Sequence, residues 1–450
     1  MNNDQLRALG FFDARIPRYT SYPPATVFSH SFGAPFQSDC ITSLDPAEPV
    51  SVYVHIPFCE RLCWFCACRT QGTKTLQSVE NYIDTVIDEL KMIAGLLPEG
   101  VTMGRLHWGG GTPTILPPAA IARLAAAIYA AFPKAEDFEF SVEIDPTMVD
   151  QPKIDALAAA SMSRASIGIQ DFAEDVQKAI GREQSFAATK ACVDMLRKAG
   201  IHSLNTDLVY GLPHQTLDKI SASIDNVIAL DPDRVALFGY AHVPHMSKRQ
   251  RLIDVDTLPG DEARFALSEL ATRRFVEAGL SPIGIDHFAK PQDTLAIAER
   301  TGHLRRNFQG YTVDTCETLI GIGASSISQF KEGFMQNASA TSAYTQRIRS
   351  GTLAGFRGHR HSADDLLRKR VVESIMCYFR LDLSALRQEF GSLADTLAAD
   401  HRAVAERFGS AVDWRSEVLS IPSNGRQLAR LVANMYDHST VASGQYSKAS

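Results

Sequence analysis

"SVYVHIPFCERLCWFCAC", residues 51–68, joins an alternating apolar and β-branched run to a stretch holding four of the chain's eight cysteines. Residues 51–57 read as a strand closed by a proline. Cys59, Cys63, Cys66 and Cys68 then fall on a loop at the strand's C-terminal end, spaced C-x3-C-x2-C-x-C. At this cysteine content the first three would meet that spacing by chance about 0.003 times per chain. Clustered thiols point to zinc or to an iron–sulfur cluster. Tetrahedral zinc draws on paired C-x2-C knuckles, and no second knuckle or H-x3-H follows, so three thiolates on one compact loop suit a single cubane better. Three ligands for four irons leave one iron open to a substrate or cofactor. The single residue between Cys66 and Cys68 is too short to wrap a cubane edge, which makes Cys68 a non-ligand. Cys40, Cys192, Cys316 and Cys377 are isolated and read as small buried hydrophobes.

Outward from this loop the chain alternates. Strand patterns recur at 105–111 (RLHWGGG), 138–145 (FEFSVEID), 164–170 (RASIGIQ), 204–212 (LNTDLVYGL) and 234–240 (RVALFGY). Between them, and after the last, lie helical patterns with apolar residues at i, i+3, i+4 spacing, at 79–97, 118–132, 152–161, 185–200, 217–230 and 261–279. Six alternations predict parallel β/α units, closed into a barrel or laid out as an open doubly wound sheet. Either architecture binds ligands at the strands' C-terminal ends.

Several residues sit at those ends. "GGGTP" (109–113) offers bare backbone to a ligand, and it matches neither the G-x-G-x-x-G fingerprint nor a P-loop. Glu143 and Asp145 close the third strand, Gln170 the fourth, and Asp207 lies in the fifth. Each alone reads as a strand-end hydrogen-bonding group; four at one level beside a cysteine loop read as a site.

Composition narrows the partners. The 450 residues are 45% hydrophobic, enough for one large domain with smaller additions. A net charge of −6 with no basic block argues against nucleic acid and anionic lipid. The N-terminal stretch lacks a basic start and an apolar core, and nowhere do about 18 uncharged apolar residues run together. The chain is therefore expected to be cytoplasmic, where reduced thiols are the rule.

The C-x3-C-x2-C after a strand, the GGGTP and the acidic strand end resemble the radical S-adenosylmethionine (SAM) enzymes. With "PRYTSYP" (17–23), "SIGIQDF", "DLVYGLP", "HFA" and "RNFQGYT" (306–312) added, the chain resembles the oxygen-independent coproporphyrinogen III oxidases, also called dehydrogenases, from about residue 8 into the C-terminal region. The resemblance implies an α/β fold: a partial (β/α)6 parallel barrel with an N-terminal arm or lid (1–48), the barrel and its extension (49–334) and a smaller helical C-terminal domain (335–450).

It also implies chemistry. Cys59, Cys63 and Cys66 would hold one [4Fe-4S] cluster. Tyr53, Phe65, Gly110, Glu143 and Ile327 would surround a first SAM on the open iron, and Gly111, Thr112, Gln170, Arg182, Asp207 and Ala241 a second. A 5′-deoxyadenosyl radical would then drive decarboxylation of two propionates of coproporphyrinogen III to vinyl groups, giving protoporphyrinogen IX in heme biosynthesis. A low-potential electron donor protein and a monomeric state are implied. Arg18, Tyr22, His287, Gln309 and Tyr311 are expected to touch substrate. A related branch that binds and delivers heme is the alternative, but its members usually lack "PRYTSYP" and the Cys68 step. The pattern departs from the family at Ala67, where glycine is common, and at Leu431, where asparagine is usual. The tail "ASGQYSKAS" reads as frayed and polar.

Overall fold

Alternation of apolar and polar residues builds the central sheet of the computed structural model, which describes residues 1–439; the polar tail lies outside them. Six strands, β1 (Val50–Ile56), β2 (Met103–Gly110), β3 (Lys134–Ile144), β4 (Arg164–Gln170), β5 (Ser203–Tyr210) and β6 (Arg234–Gly239), pair in sequence order. Every pair is parallel. Helices α1 (Leu76–Ala94), α2 (Pro118–Ala131), α3 (Gln151–Ala159), α4 (Phe186–Lys198) and α5 (Leu217–Ala229) make the crossovers, and α6 (Asp261–Glu277) follows β6. In α1 the buried residues Val79, Tyr82, Ile83, Val86, Leu90 and Ile93 recur at helical spacing and pack on the strands.

The sheet continues past the six strands on both sides. Two short strands, β7 (Ser281–Ile283) and β8 (His287–Ala289), add antiparallel beyond β6. On the other edge β9 (Leu319–Ile322) is parallel to β1, and β10 (Ile327–Phe330), β11 (Gly333–Asn337) and β12 (Gly355–Arg360) follow antiparallel. Sequence periodicity missed these six because five carry five residues or fewer, too short for a period to declare itself, and β12 (GFRGHR) has no apolar alternation. The fold is the α/β radical SAM type with a parallel-strand sheet and a helical C-terminal region.

Two large apolar clusters, with two minor ones beside them, organise the interior of the described residues. The larger joins β1–β6 to their helices and takes in Phe36, Cys40 and Ile41 from the helix Ala34–Thr42. The smaller joins Leu6, Phe11, Phe12, Ile16, Tyr19 and Tyr22 to residues between Leu367 and Tyr436. Helix α7 (Ala363–Tyr378) opens that region with a capping box in which Ser362 and Asp365 each accept the other's backbone N–H. A three-stranded sheet, Arg380–Asp382, Asp413–Arg415 and Val418–Ser420, is folded among the C-terminal helices. Cys40, Cys192 and Cys377 are buried as expected, and Cys316 is partly so. Among the described residues no helix is long and apolar enough to cross a membrane.

One carboxylate ties the barrel to its extension. Glu89 on α1 is fully buried, with Oε2 accepting from the Gly323 amide and the Tyr344 hydroxyl at 2.7 Å each and Oε1 from Asn337 Nδ2 at 2.8 Å. Burial outweighs these donors and pushes the carboxyl from 4.5 up to about 7. Between those values the folded state holds more protons than the unfolded one, so Glu89 makes stability fall as pH rises. Glu89→Gln is expected to flatten that slope in thermal unfolding measured across pH 4.5–7; an unchanged slope would assign it elsewhere.

Candidate functional site

Strand alternation separates two faces. Val52, Val54, Leu106, Trp108, Phe140, Val142, Ala165 and Ile167 enter the large core, while Tyr53, His107, Ser141, Glu143, Ser166, Asn205 and Asp207 hold the alternate positions. The second set forms a connected polar row. The Tyr53 ring stacks on His107 with centroids 5.7 Å apart, and its hydroxyl lies 2.9 Å from His55 Nδ1. His107 Nδ1 meets Ser141 Oγ at 2.6 Å, and its Nε2 is 3.5 Å from Glu143 Oε1. Glu143 Oε2 accepts from the Gly110 amide at 3.0 Å. Burial works against the Glu143 carboxylate, but His107 and the Gly110 amide hold it below its usual range.

The row continues across β4 and β5. Asp207 accepts from Asn205 Nδ2 at 2.8 Å and from Ser166 Oγ at 3.2 Å. Burial dominates there and lifts the carboxyl to about 6. Asp207 shares a level with Gly168 on β4, and with Ala236 on β6, which in turn faces His287 on β8. Gln170 ends β4 with a positive φ of 73°, and a Cβ on Gly168 would sit 2.9 Å from Gln170 Nε2 and 3.2 Å from Arg182 Nη2. Gln170 and Arg182 therefore flank one glycine.

The cysteine loop docks on these strand ends. Gly111 N donates to Ile56 O at 2.9 Å and Thr112 N to Phe58 O at 2.8 Å, zipping GGGT onto the start of the loop. Thr112 Oγ1 points at Cys59 Sγ (3.6 Å) and Arg182 Nη1 at Cys63 Sγ (3.5 Å). Arg182 also donates to Gly168 O at 2.8 Å and pairs with Asp145 at 3.1 Å. The Cys68 amide donates to Cys66 Sγ at 3.4 Å, and hydrogen bonds from Cys68 hold the Cys66 thiol below its usual range. Burial pushes Cys59 up to about 11, against the Thr112 hydroxyl.

The remaining expected residues fall in several places. Gln250 Nε2 donates to both Phe65 O (2.7 Å) and Ala241 O (3.0 Å), which joins the cysteine loop to the segment after β6. Ile327 lies beside Gly321, the β9 residue in register with Tyr53. Of the five residues expected at substrate, Arg18 and His287 line one cavity of about 430 Å³ at the ends of β5 and β6. Tyr311 stands behind them, its hydroxyl on Met376 O at 2.7 Å and its ring edge-on to His287. Tyr22 is buried in the C-terminal cluster, and Gln309 lines a separate small cavity with Arg105 and Glu139. Sequence reasoning passed over His55, His107, Asn205 and Gln250. The first three share the alternating parity of Tyr53 and Asp207, a signal that was available; Gln250 gave none.

The donor set separates the two metal readings. A zinc ion bound by thiolates at about 2.3 Å needs sulfurs roughly 3.8 Å apart. Among the described residues, the only trio of His, Cys, Asp or Glu whose ligand atoms all lie within 4.8 Å of one another is His359, His361 and Asp365. There Asp365 already accepts from Ser362 and His359. The cysteine loop lacks the spacing of a mononuclear site. With donors from Thr112 and Arg182 aimed at its sulfurs, it fits a larger cluster whose thiolates need hydrogen bonds.

Comparison with known proteins agrees with this chemistry. The model of the radical SAM superfamily matches residues 53–227. An oxygen-independent coproporphyrinogen III oxidase of Cereibacter sphaeroides (strain ATCC 17025 / ATH 2.4.3) is 58% identical over 446 residues, 99% of each chain. One from Paracoccus denitrificans is 50% identical over 99% of each chain. The solved coproporphyrinogen III oxidase from Escherichia coli, described as a radical SAM enzyme, superposes with a TM-score of 0.90 at 36% identity, covering 94% of this chain and 97% of its own. With the cysteine loop, the polar row and near full-length identity in agreement, the chain belongs to the oxygen-independent coproporphyrinogen III oxidase family of radical SAM enzymes.

Proposed function

We propose that this chain converts two propionate side chains of coproporphyrinogen III to vinyl groups without oxygen, giving protoporphyrinogen IX, in the cytoplasm and as a monomer served by a low-potential electron donor protein. The observation that carries the reading is the junction of the three-cysteine loop with GGGT and Arg182 at the strand ends. Cys59, Cys63 and Cys66 would hold the [4Fe-4S] cluster, and Cys68 would stay outside the ligand set. When bound, the reduced cluster and SAM together supply the carbon radical that takes hydrogen from a propionate.

The chain's own residues position and shield. Tyr53, Phe65, Gly110, Glu143 and Ile327 would enclose a first SAM, with the Glu143 carboxylate available to an ammonium or ribose hydroxyl. Gly111, Thr112, Gln170, Arg182, Asp207 and Ala241 are assigned to the second. The arm restricts the mouth of the barrel: Arg18 Nη2 donates to Gly239 O at 2.8 Å, and Arg306 and Arg430 donate to the backbone of Ile16–Tyr19. Exclusion of water and oxygen protects a radical that attacks whatever lies near it. The heme-delivery alternative is not favoured, since the near full-length relatives are coproporphyrinogen III oxidases.

Asp207 gives the second SAM a pH signature. A carboxyl lifted to about 6 must ionise to receive a cationic ligand, so SAM binding releases a proton below pH 6 and weakens as pH falls through that value. The SAM affinity of the reconstituted enzyme is expected to drop between pH 7 and 5, and Asp207→Asn to remove that dependence. The decisive functional experiment is anaerobic turnover: reconstituted, reduced protein with SAM and coproporphyrinogen III is expected to yield 5′-deoxyadenosine and the divinyl product. Deoxyadenosine without vinyl product would move the substrate elsewhere, and heme binding with neither product would revive the alternative.

A further inference from the structure

The cavity at the ends of β5 and β6 is lined by more positive than negative side chains. Arg18, Arg264, Arg306, Arg426 and Arg430 line it, against two lining carboxylates, Glu269 and Asp286. Asp286 is further engaged with His287 Nδ1 at 2.6 Å. Burying guanidinium groups costs several kcal/mol each unless an anion answers them. Burial, together with repulsion from Arg18 and Arg306, draws Arg430 down to about 10. Arg306 is only half-satisfied: Nε and Nη2 donate to Tyr19 O and Arg18 O, while Nη1 is buried with no acceptor. An unmet buried donor of this kind costs about 1–3 kcal/mol, which an incoming carboxylate would recover.

The rest of the cavity is apolar and aromatic, including Phe11, Phe238, Tyr240 and Phe265. Its volume of about 430 Å³ falls in the range of small-molecule sites, about 300–1,000 Å³. Position connects it to the chemistry. Tyr240 precedes Ala241, whose carbonyl shares the Gln250 amide with Phe65 of the cysteine loop. His287 in its wall and Asp207 on β5 both stand in register with Ala236 on β6. The lining suits a ligand with an apolar body and several anionic groups.

We propose that this cavity is a carboxylate clamp in which Arg306, with Arg18 and Arg264, grips propionates of the macrocycle that are not reacting, so that a reacting propionate is presented to the cysteine-loop side. The assignment rests on the functional reading above for the identity of the macrocycle; the ligand chemistry, an apolar body with carboxylates, comes from the cavity. Arginine suits the task because its planar fork matches a carboxylate with two parallel N–H bonds. The arm and the clamp are then one device. Arg306 fastens the backbone of Arg18 and Tyr19 with one part of its guanidinium and the substrate with the other, so arm order and substrate occupancy favour each other.

The test uses the reconstituted holoenzyme. Titration with coproporphyrin III, a stable tetracarboxylate, and protoporphyrin IX, a dicarboxylate, reads binding by fluorescence, and pyrophosphate serves as a competing phosphate probe. Arg306→Gln and Arg264→Gln are each expected to raise the KM for coproporphyrinogen III on the order of 30-fold or more. They should also weaken coproporphyrin III binding more than protoporphyrin IX binding, with Arg306→Lys recovering part of the loss. Arg264 lies on α6 and takes no part in the Arg306 bonds to the backbone of the arm, so its variant carries the test if Arg306→Gln disturbs folding. Unchanged KM and porphyrin affinity in both variants would overturn the clamp. So would a wild-type site that takes pyrophosphate and not coproporphyrin III. A wild type that turns nothing over but binds coproporphyrin III in an arginine-dependent way would refute the functional reading and leave the clamp standing.

Discussion

Cys63→Ser is expected to abolish turnover and to remove the visible absorbance and most of the iron of the reconstituted protein. Thiolate, the form that binds iron, is accessible to cysteine, whereas a serine hydroxyl does not ionise near neutral pH. Cys63 is the buried member of the loop, 8% exposed, and Arg182 Nη1 already points at its sulfur. The lost ligand has no substitute at hand: Cys68 is turned to Cys66, whose sulfur accepts its amide hydrogen. Cys68→Ser is accordingly expected to keep its iron. Iron measured per chain in the two variants decides the ligand set, and retention in Cys63→Ser with loss in Cys68→Ser would reverse the assignment.

Gly111→Ala is expected to lower turnover by about 100-fold or more, the scale of a displacement near 1 Å at a reacting centre. A Cβ there would stand 2.6 Å from Phe58 O, 2.8 Å from Ile56 O and 2.9 Å from Phe58 N. All three are backbone atoms, so no rotamer relieves the overlap. The two hydrogen bonds that zip GGGT to residues 56–58 must lengthen, and Cys59 moves with them. Overpacking of this sort also costs about 1–3 kcal/mol of stability. Gly260→Ala, whose Cβ would meet nothing within 4 Å, is expected to turn over like wild type. Turnover and iron content compared between the two glycine variants check the argument; a fully active Gly111→Ala would show that the loop can yield.

Much of this was legible because local pattern and global fold agree. The run 164–170 became β4 with the same limits, and 118–132 became α2 within one residue of its end. Alternating residues on the strands and a 3.6-residue period on the helices each reflect one buried face, which is the information periodicity contains. The cysteine spacing lay within eight consecutive residues, short enough for the backbone alone to gather the thiols.

What the sequence determined by itself, then, was the parallel β/α order, the thiol loop at a strand end and the family. Tertiary structure decided which distant side chains meet. Arg182 reaches Cys63 across 119 positions, and Gln250 bridges Phe65 and Ala241. Residues 1–48, read as one arm, divide: Leu6–Tyr22 pack with the C-terminal helices and Phe36–Ile41 with the barrel. Tyr22 and Gln309, grouped with Arg18 by motif, lie apart from it, while Arg264 and Arg430 join it without any motif to announce them. Periodicity records whether a residue faces a core; the partner it finds there depends on sheet register and chain crossing, which only the folded chain fixes.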